Sequence, residues 1–272
     1  MKTSLVMLPA AAVVLAALAV PMAAQWDYPT AGIPRTANGK LNLSAPAPRT
    51  PDGHPDFSGV WDVEHLRPCP PAGCVDFNAP PVEFGNVGAG MPGGLPYQPW
   101  AQALAKQRSA AQRKDDPLTH CLPIGIVELQ TIPMYRKIVQ VPGLIAIVHE
   151  YNAGYRQIFT DGRPLPADMN PSWNGYSTGK WEGDTLVVET AGFRDGIWLD
   201  TGGDPITDRA KVTERFRRVN FGRLEVEITV DDPKAYTRPW TIKMGQILMP
   251  DTDLLDYICL ENEKDVTHLV VK

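Results

Sequence analysis

From residue 135 onward apolar side chains recur at every second position between short turn signals, and this pattern restricts most of the chain to antiparallel sheet. The segment 211–231 shows it best. Runs at 211–219 and 223–231 flank Asn220, Phe221 and Gly222, which read as a hairpin turn. Pairing Val219 with Arg223 sets Arg217 opposite Glu225 and Arg215 opposite Glu227, so the register agrees with its own charges. The other face then carries Val212, Phe216, Leu224, Val226, Ile228 and Val230, with Glu214 in their midst. A carboxylate on an apolar face is costly unless paired or protonated, which makes Glu214 the first candidate for chemistry.

Two further hairpins are expected. Residues 144–151 and 155–161 flank Asn152, Ala153 and Gly154, with Gly154 in the left-handed position; this register places Glu150 opposite Arg156 and His149 opposite Gln157. Residues 176–181 and 184–190 turn at Glu182 and Gly183, and strands at 240–249 and 254–260 complete the succession. One helix is predicted from Pro99, with Trp100, Ala103, Leu104 and Gln107 on its inner face and Lys106, Arg108, Arg113 and Lys114 toward solvent. Consecutive hairpins with one helix predict a mainly β fold, an antiparallel barrel or strongly bent sheet forming a single domain over 58–272.

The N-terminus reads as a signal peptide over 1–24: Lys2, an apolar run at 5–20, then Pro21, Met22, Ala23 and Ala24 before the expected cleavage. The run is short for a membrane span, and no span is expected after cleavage. A periplasmic or secreted protein is therefore expected, and in that oxidising setting four cysteines suggest two disulfides. The turn-rich segment 69–74 (CPPAGC) favours Cys69 with Cys74, leaving Cys121 with Cys259 to tie the middle of the chain to its last strand. Residues 25–57 form an extended arm holding a repeat, 34–44 (PRTANGKLNLS) echoed by 48–58 (PRTPDGHPDFS). A net charge of −5 with bases and acids interleaved speaks against nucleic acid as a partner. The 27 prolines and 23 glycines fit many turns between short strands.

Two strings carry a resemblance to lipocalin-like barrels: residues 57–61 (FSGVW), similar to the Gly-x-Trp motif whose Trp plugs the closed end of those barrels, and residues 179–190 (GKWEGDTLVVET). Residues 48–53 (PRTPDG), 56–61 (DFSGVW), 156–163 (RQIFTDGR), 181–189 (WEGDTLVVE) and 231–237 (DDPKAYT) resemble a group of secreted, functionally unassigned proteins of soil bacteria. That resemblance implies export and a β-rich body, and it carries no catalytic assignment.

The chain lacks a nucleophile elbow, a phosphate loop, a dinucleotide fingerprint and a His-Glu-x-x-His motif. No cofactor and no metal are expected; His149 with His120 would be the pair to consider for one, and a hydrogen-bonded core or rim histidine is the plainer reading of His149. Asp161, Gly162 and Arg163 should make a turn. Trp173, Tyr176 and Trp198, with Tyr151, are the aromatics placed to stack on a sugar or an aromatic ligand. Three functions stay open. The first is a binder of a small organic or glycosidic molecule in the barrel. The second is a hydrolase, lyase or isomerase with Glu214 and His149 as acid and base and Arg156 as oxyanion clamp. The third is an envelope interaction protein using the repeat arm. The residues set neither the ligand nor the oligomeric state.

Overall fold

A computed structural model describes residue 30 and residues 32–64 and 81–261; the expected signal peptide and the Cys69–Cys74 pair lie outside them. Among the described residues nine strands close into one barrel in sequence order. They are β1 (Gly59–Val63), β2 (Arg136–Val141), β3 (Leu144–His149), β4 (Tyr155–Phe159), β5 (Tyr176–Glu182), β6 (Thr185–Ala191), β7 (Lys211–Asn220), β8 (Arg223–Asp231) and β9 (Trp240–Leu248). A ring of strands that alternate direction must have an even number, so nine strands require a parallel pairing. It falls between β4 and β5, which share only the pairs Ile158 with Ser177 and Phe159 with Thr178. Residues 160–175 return the chain along the barrel to make that parallel start.

The helices are α1 (Val82–Gly85), α2 (Pro99–Ala110) and α3 (Ile126–Thr131), with a 3-10 turn at Pro117–His120. All six residues of α3 are buried. Ile126 and Val127 join the main core, and Gln130 bonds to inward side chains of β7 and β9. The helix thus plugs the barrel. The inner face of α2 is Ala101 and Ala105, while Trp100 is largely exposed. This rotates the expected face, because Arg108 turns inward, its guanidinium 4.8 Å from the Trp198 ring centroid and bonded to the Gly203 carbonyl at 3.0 Å. A long side chain whose head finds an aromatic face and a carbonyl can be drawn inward despite its charge.

The 211–231 hairpin has Arg217 paired to Glu225, Arg215 to Glu227 and Glu214 to Ile228 as read from its charges, but Arg223 faces Asn220 and not Val219, because the ladder shifts by one residue between Arg218 and Asn220. Arg217 bonds Glu225 at 2.6 Å; Arg215 instead reaches Glu182 on β5, and Glu227 takes Lys243 on β9. The β5–β6 turn lies one residue later than expected, at Gly183 and Asp184, since Glu182 pairs with Thr185. The β3–β4 register differs by more. Ile147 faces Arg156 and Val148 faces Tyr155, so neither Glu150 with Arg156 nor His149 with Gln157 is a pair. The strand stops at His149, and Asn152 and Ala153, not Gly154, take left-handed conformations. Residues 254–260 form no strand and make a single bridge, Tyr257 to Tyr151.

The repeat arm covers one end of the barrel. Phe57 is buried against Trp181 and Phe216, and Trp61 is fully buried, donating from Nε1 to the Phe57 carbonyl at 2.9 Å. Arg218 lies 4.9 Å from the Trp61 ring centroid and donates to the carbonyls of Asp56 and Phe221. Burial lowers its pKa to about 10, with the nearby Asp56 opposing the shift. Cys121 and Cys259 are joined, as expected, with a sequence separation of 138. Among the described residues no helix is long and apolar enough to cross a membrane.

Candidate functional site

Glu214 points into the barrel with 1% of its surface exposed, and it is met there by Arg156. The parity of β4 turns Arg156 and Ile158 inward while Tyr155 and Gln157 face out. Arg156 Nη1 donates to Glu214 Oε1 at 3.0 Å and Nη2 to Oε2, a two-pronged pair inside the core. The remaining donors go to Ser177 Oγ, at 3.2 Å from Nε and 3.1 Å from Nη2, and to Thr190 Oγ1 at 3.0 Å. On the other side Gln130 donates to Glu214 Oε1 at 3.1 Å and accepts from Gln246 at 2.6 Å. Arg136 ties the C-terminus of α3 to β2, donating to the carbonyls of Gln130, Ile132 and Met134.

His149 is buried opposite Arg136 on the neighbouring strand. Burial, then the guanidiniums of Arg136 and Arg156, hold its pKa well below the ordinary histidine value, so the ring is neutral. Its Nε2 has no partner among the described residues. His120 lies on the exposed 3-10 turn, bonded to the Lys114 carbonyl at 2.6 Å. Among the described residues no three His, Cys, Asp or Glu side chains are grouped to hold a metal ion.

Of several surface clefts, the one that reaches the buried Arg156 lies at the β4–β5 seam. A cleft of about 470 Å³ is lined by Tyr155, Phe159, Trp173, Asn174 and Tyr176, with the buried Arg156 and Ser177 beneath. Phe159 and Tyr176 stack with ring centroids 5.3 Å apart, and Arg194 lies 4.6 Å from the Trp173 ring centroid. Where the backbone ladder stops, Asn174 Nδ2 donates to the Tyr155 carbonyl at 3.0 Å, and its buried Oδ1 has no partner among the described residues. Gly175 makes this close approach possible: its φ is +63°, and a Cβ there would sit 2.7 Å from the Ala191 carbonyl oxygen.

Of the expected aromatics, Trp173 and Tyr176 share this cleft, whereas Trp198 is buried under Arg108 and Tyr151 is buried with its hydroxyl on the Leu122 carbonyl at 3.0 Å. Gln130, Arg136, Ser177, Thr190 and Gln246 were missed as members of the polar network. Strand alternation through Met244 and Leu248 would have marked Gln246 as inward, but nothing in the sequence announces that α3 enters the barrel.

A second group of buried acids lies around α1 and α3. Glu128 is fully buried, and neither carboxyl oxygen has a partner among the described residues. Desolvation, then the negative fields of Asp116 and Asp200, push its pKa well above the usual carboxylate range. Asp200 is raised too, by desolvation and then by Asp204. The folded chain therefore keeps protons that the unfolded chain releases near pH 4, and stability should fall as pH rises through the raised folded values. His149 acts with the opposite sign, but only below its unfolded pKa of about 6.5. Glu128→Gln should accordingly match the wild type in thermal melts only near pH 4 and below, and exceed it increasingly toward pH 8. Each unit of raised pKa costs about 1.4 kcal/mol, or roughly 3–6 °C at this chain size. Equal melting at pH 8 would place Glu128 in water and refute the argument.

No protein-family model matches the chain, and no curated protein matches it in sequence.

Proposed function

We propose that this is an exported, lipocalin-like protein that binds a small organic or glycosidic molecule, and that the ligand sits at the β4–β5 seam, since α3 fills the interior. The observation that carries this reading is the cleft itself. Its volume of about 470 Å³ suits a small ligand, and the rings of Phe159, Trp173 and Tyr176 line it together with Asn174 and Gln157. A ring could stack on the aromatics. Arg156, locked on Glu214, supports the cleft from beneath.

Titration with a panel of aryl glycosides and simple phenols, read by calorimetry, tests it. Trp173→Ala should weaken the best binder about tenfold, the equivalent of ~1.4 kcal/mol of lost stacking. Unchanged affinity in that variant, or no binding across the panel, would refute the seam as the site. The enzymatic alternative would draw on His149, which is neutral, whose buried Nε2 has no partner among the described residues, and which does not line the cleft. Product formation from the same aryl glycosides, lost in His149→Ala, would establish hydrolysis in place of simple binding.

A further inference from the structure

The two copies of the repeat fold into the same turn. Arg35 bridges to Leu41 as Arg49 bridges to Pro55. The backbone bonds Thr36 N to Lys40 O and Gly39 N to Thr36 O recur as Thr50 N to His54 O and Gly53 N to Thr50 O. Gly39 and Gly53 have φ of +81° and +88°. In both copies the arginine Nη1 donates to the carbonyl of that glycine at 2.7 Å, which sets the guanidinium in the same attitude relative to its turn.

Their surroundings differ. Arg49 clamps Asp184 in the β5–β6 turn at 2.8 and 2.7 Å, and His54 stacks on Trp181 with centroids 4.5 Å apart and planes 3° from parallel. The first copy is anchored at its base, where the Leu43 carbonyl accepts from Gly222, but residues 35–40 are all exposed. Its arginine Nη2 reaches only the Thr30 hydroxyl, at 3.0 Å. Neither Arg35 nor Lys40 has an ion-pair partner among the described residues. The segment 34–44 carries two bases and no acid on a chain of net charge −5.

We infer that the first repeat copy is a vacant docking module for another protein, and that its partner presents a tight turn bearing a carboxylate beside an aromatic ring. The second copy displays the contact within the same chain: a guanidinium held by its own turn grips the carboxylate with two bonds, and the residue five positions on covers the aromatic ring. In the first copy that residue is Lys40, which suits the face of an aromatic ring or a second acid. A carboxylate would displace the neutral Thr30 hydroxyl from Arg35.

The probe is a backbone-cyclised peptide carrying the β5–β6 turn, residues 180–186, titrated against the full chain. Binding should weaken at least tenfold in Arg35→Ala, whose side chain is exposed, and with a peptide in which the turn Asp is Asn, while Arg49→Ala binds as the wild type does. Affinity should also fall as salt is raised. Binding lost in Arg49→Ala and kept in Arg35→Ala would mean that the peptide merely replaces the chain's own hairpin, and would overturn the inference. So would indifference to the Asn substitution, or tighter binding of inorganic phosphate than of the peptide, which would reveal a simple anion site. None of these outcomes bears on the seam cleft, whose ligand is assayed separately.

Discussion

Glu214→Gln is expected to lower the melting temperature by roughly 10 °C. The substitution keeps the shape but leaves the Arg156 guanidinium, 3% exposed, without its counter-charge. Breaking a buried pair from one side costs about 3–5 kcal/mol, and each kcal/mol is worth roughly 2–4 °C in a chain of this size. Neutralising both partners, as in Glu214→Leu with Arg156→Met, should recover much of the loss, because the stranded charge is gone and Ser177 and Thr190 still bond each other at 2.9 Å. Differential scanning calorimetry of the wild type and the two variants decides the matter. A Glu214→Gln protein that melts with the wild type would show that the carboxylate is not paired in solution, and would return it to the list of proton-transfer groups.

Opening the Cys121–Cys259 bond should cost nearly as much. In the chain-entropy account, a cross-link over a separation of 138 restricts the unfolded chain by about 5 kcal/mol. The folded side sets a lower figure for part of this, because the tail that carries Cys259 runs up the outside of the barrel on few contacts. Lys137 bonds Asp253 at 2.9 Å, Glu150 accepts from the Leu255 amide at 2.9 Å, and Tyr257 stacks on Tyr151. Cys259→Ser should therefore release residues 250–261 first, seen as lost protection in hydrogen exchange, with a lower melting temperature following. A tail equally protected in the variant would show that those contacts alone hold it.

The barrel was readable wherever a strand carried its own check. The 211–231 hairpin has charges on one face and apolar side chains on the other, and a slip by one residue would have exchanged them. That parity turned Glu214 inward before any coordinates. The 144–159 hairpin has no such check. Its outer face carries Val148 and Tyr155, both exposed, so hydrophobicity does not separate the two faces, and the turn uses Asn152 and Ala153 in left-handed conformations that favour glycine. The pairing of Arg156 with Glu214 joins residues 58 positions apart and depends on the whole closure of the barrel. The network completed by Gln130 was out of reach for a similar reason: a six-residue helix is too short for periodicity to report which cavity it enters.

The odd strand count leaves the chain with spare length at one place. To return along β4, a strand of five residues, the chain needs only about 17 Å of extended backbone, which roughly five residues supply. The connection 160–175 is much longer than that. Its surplus is folded against the wall, and Trp173 and Asn174 belong to it. Changes in the length of this loop need not disturb the ladders on either side, so the specificity of the cleft can be altered by insertion and deletion while the barrel keeps its register. A scaffold whose closure demands a return path, and whose path here is longer than the return needs, thereby carries a segment free to vary.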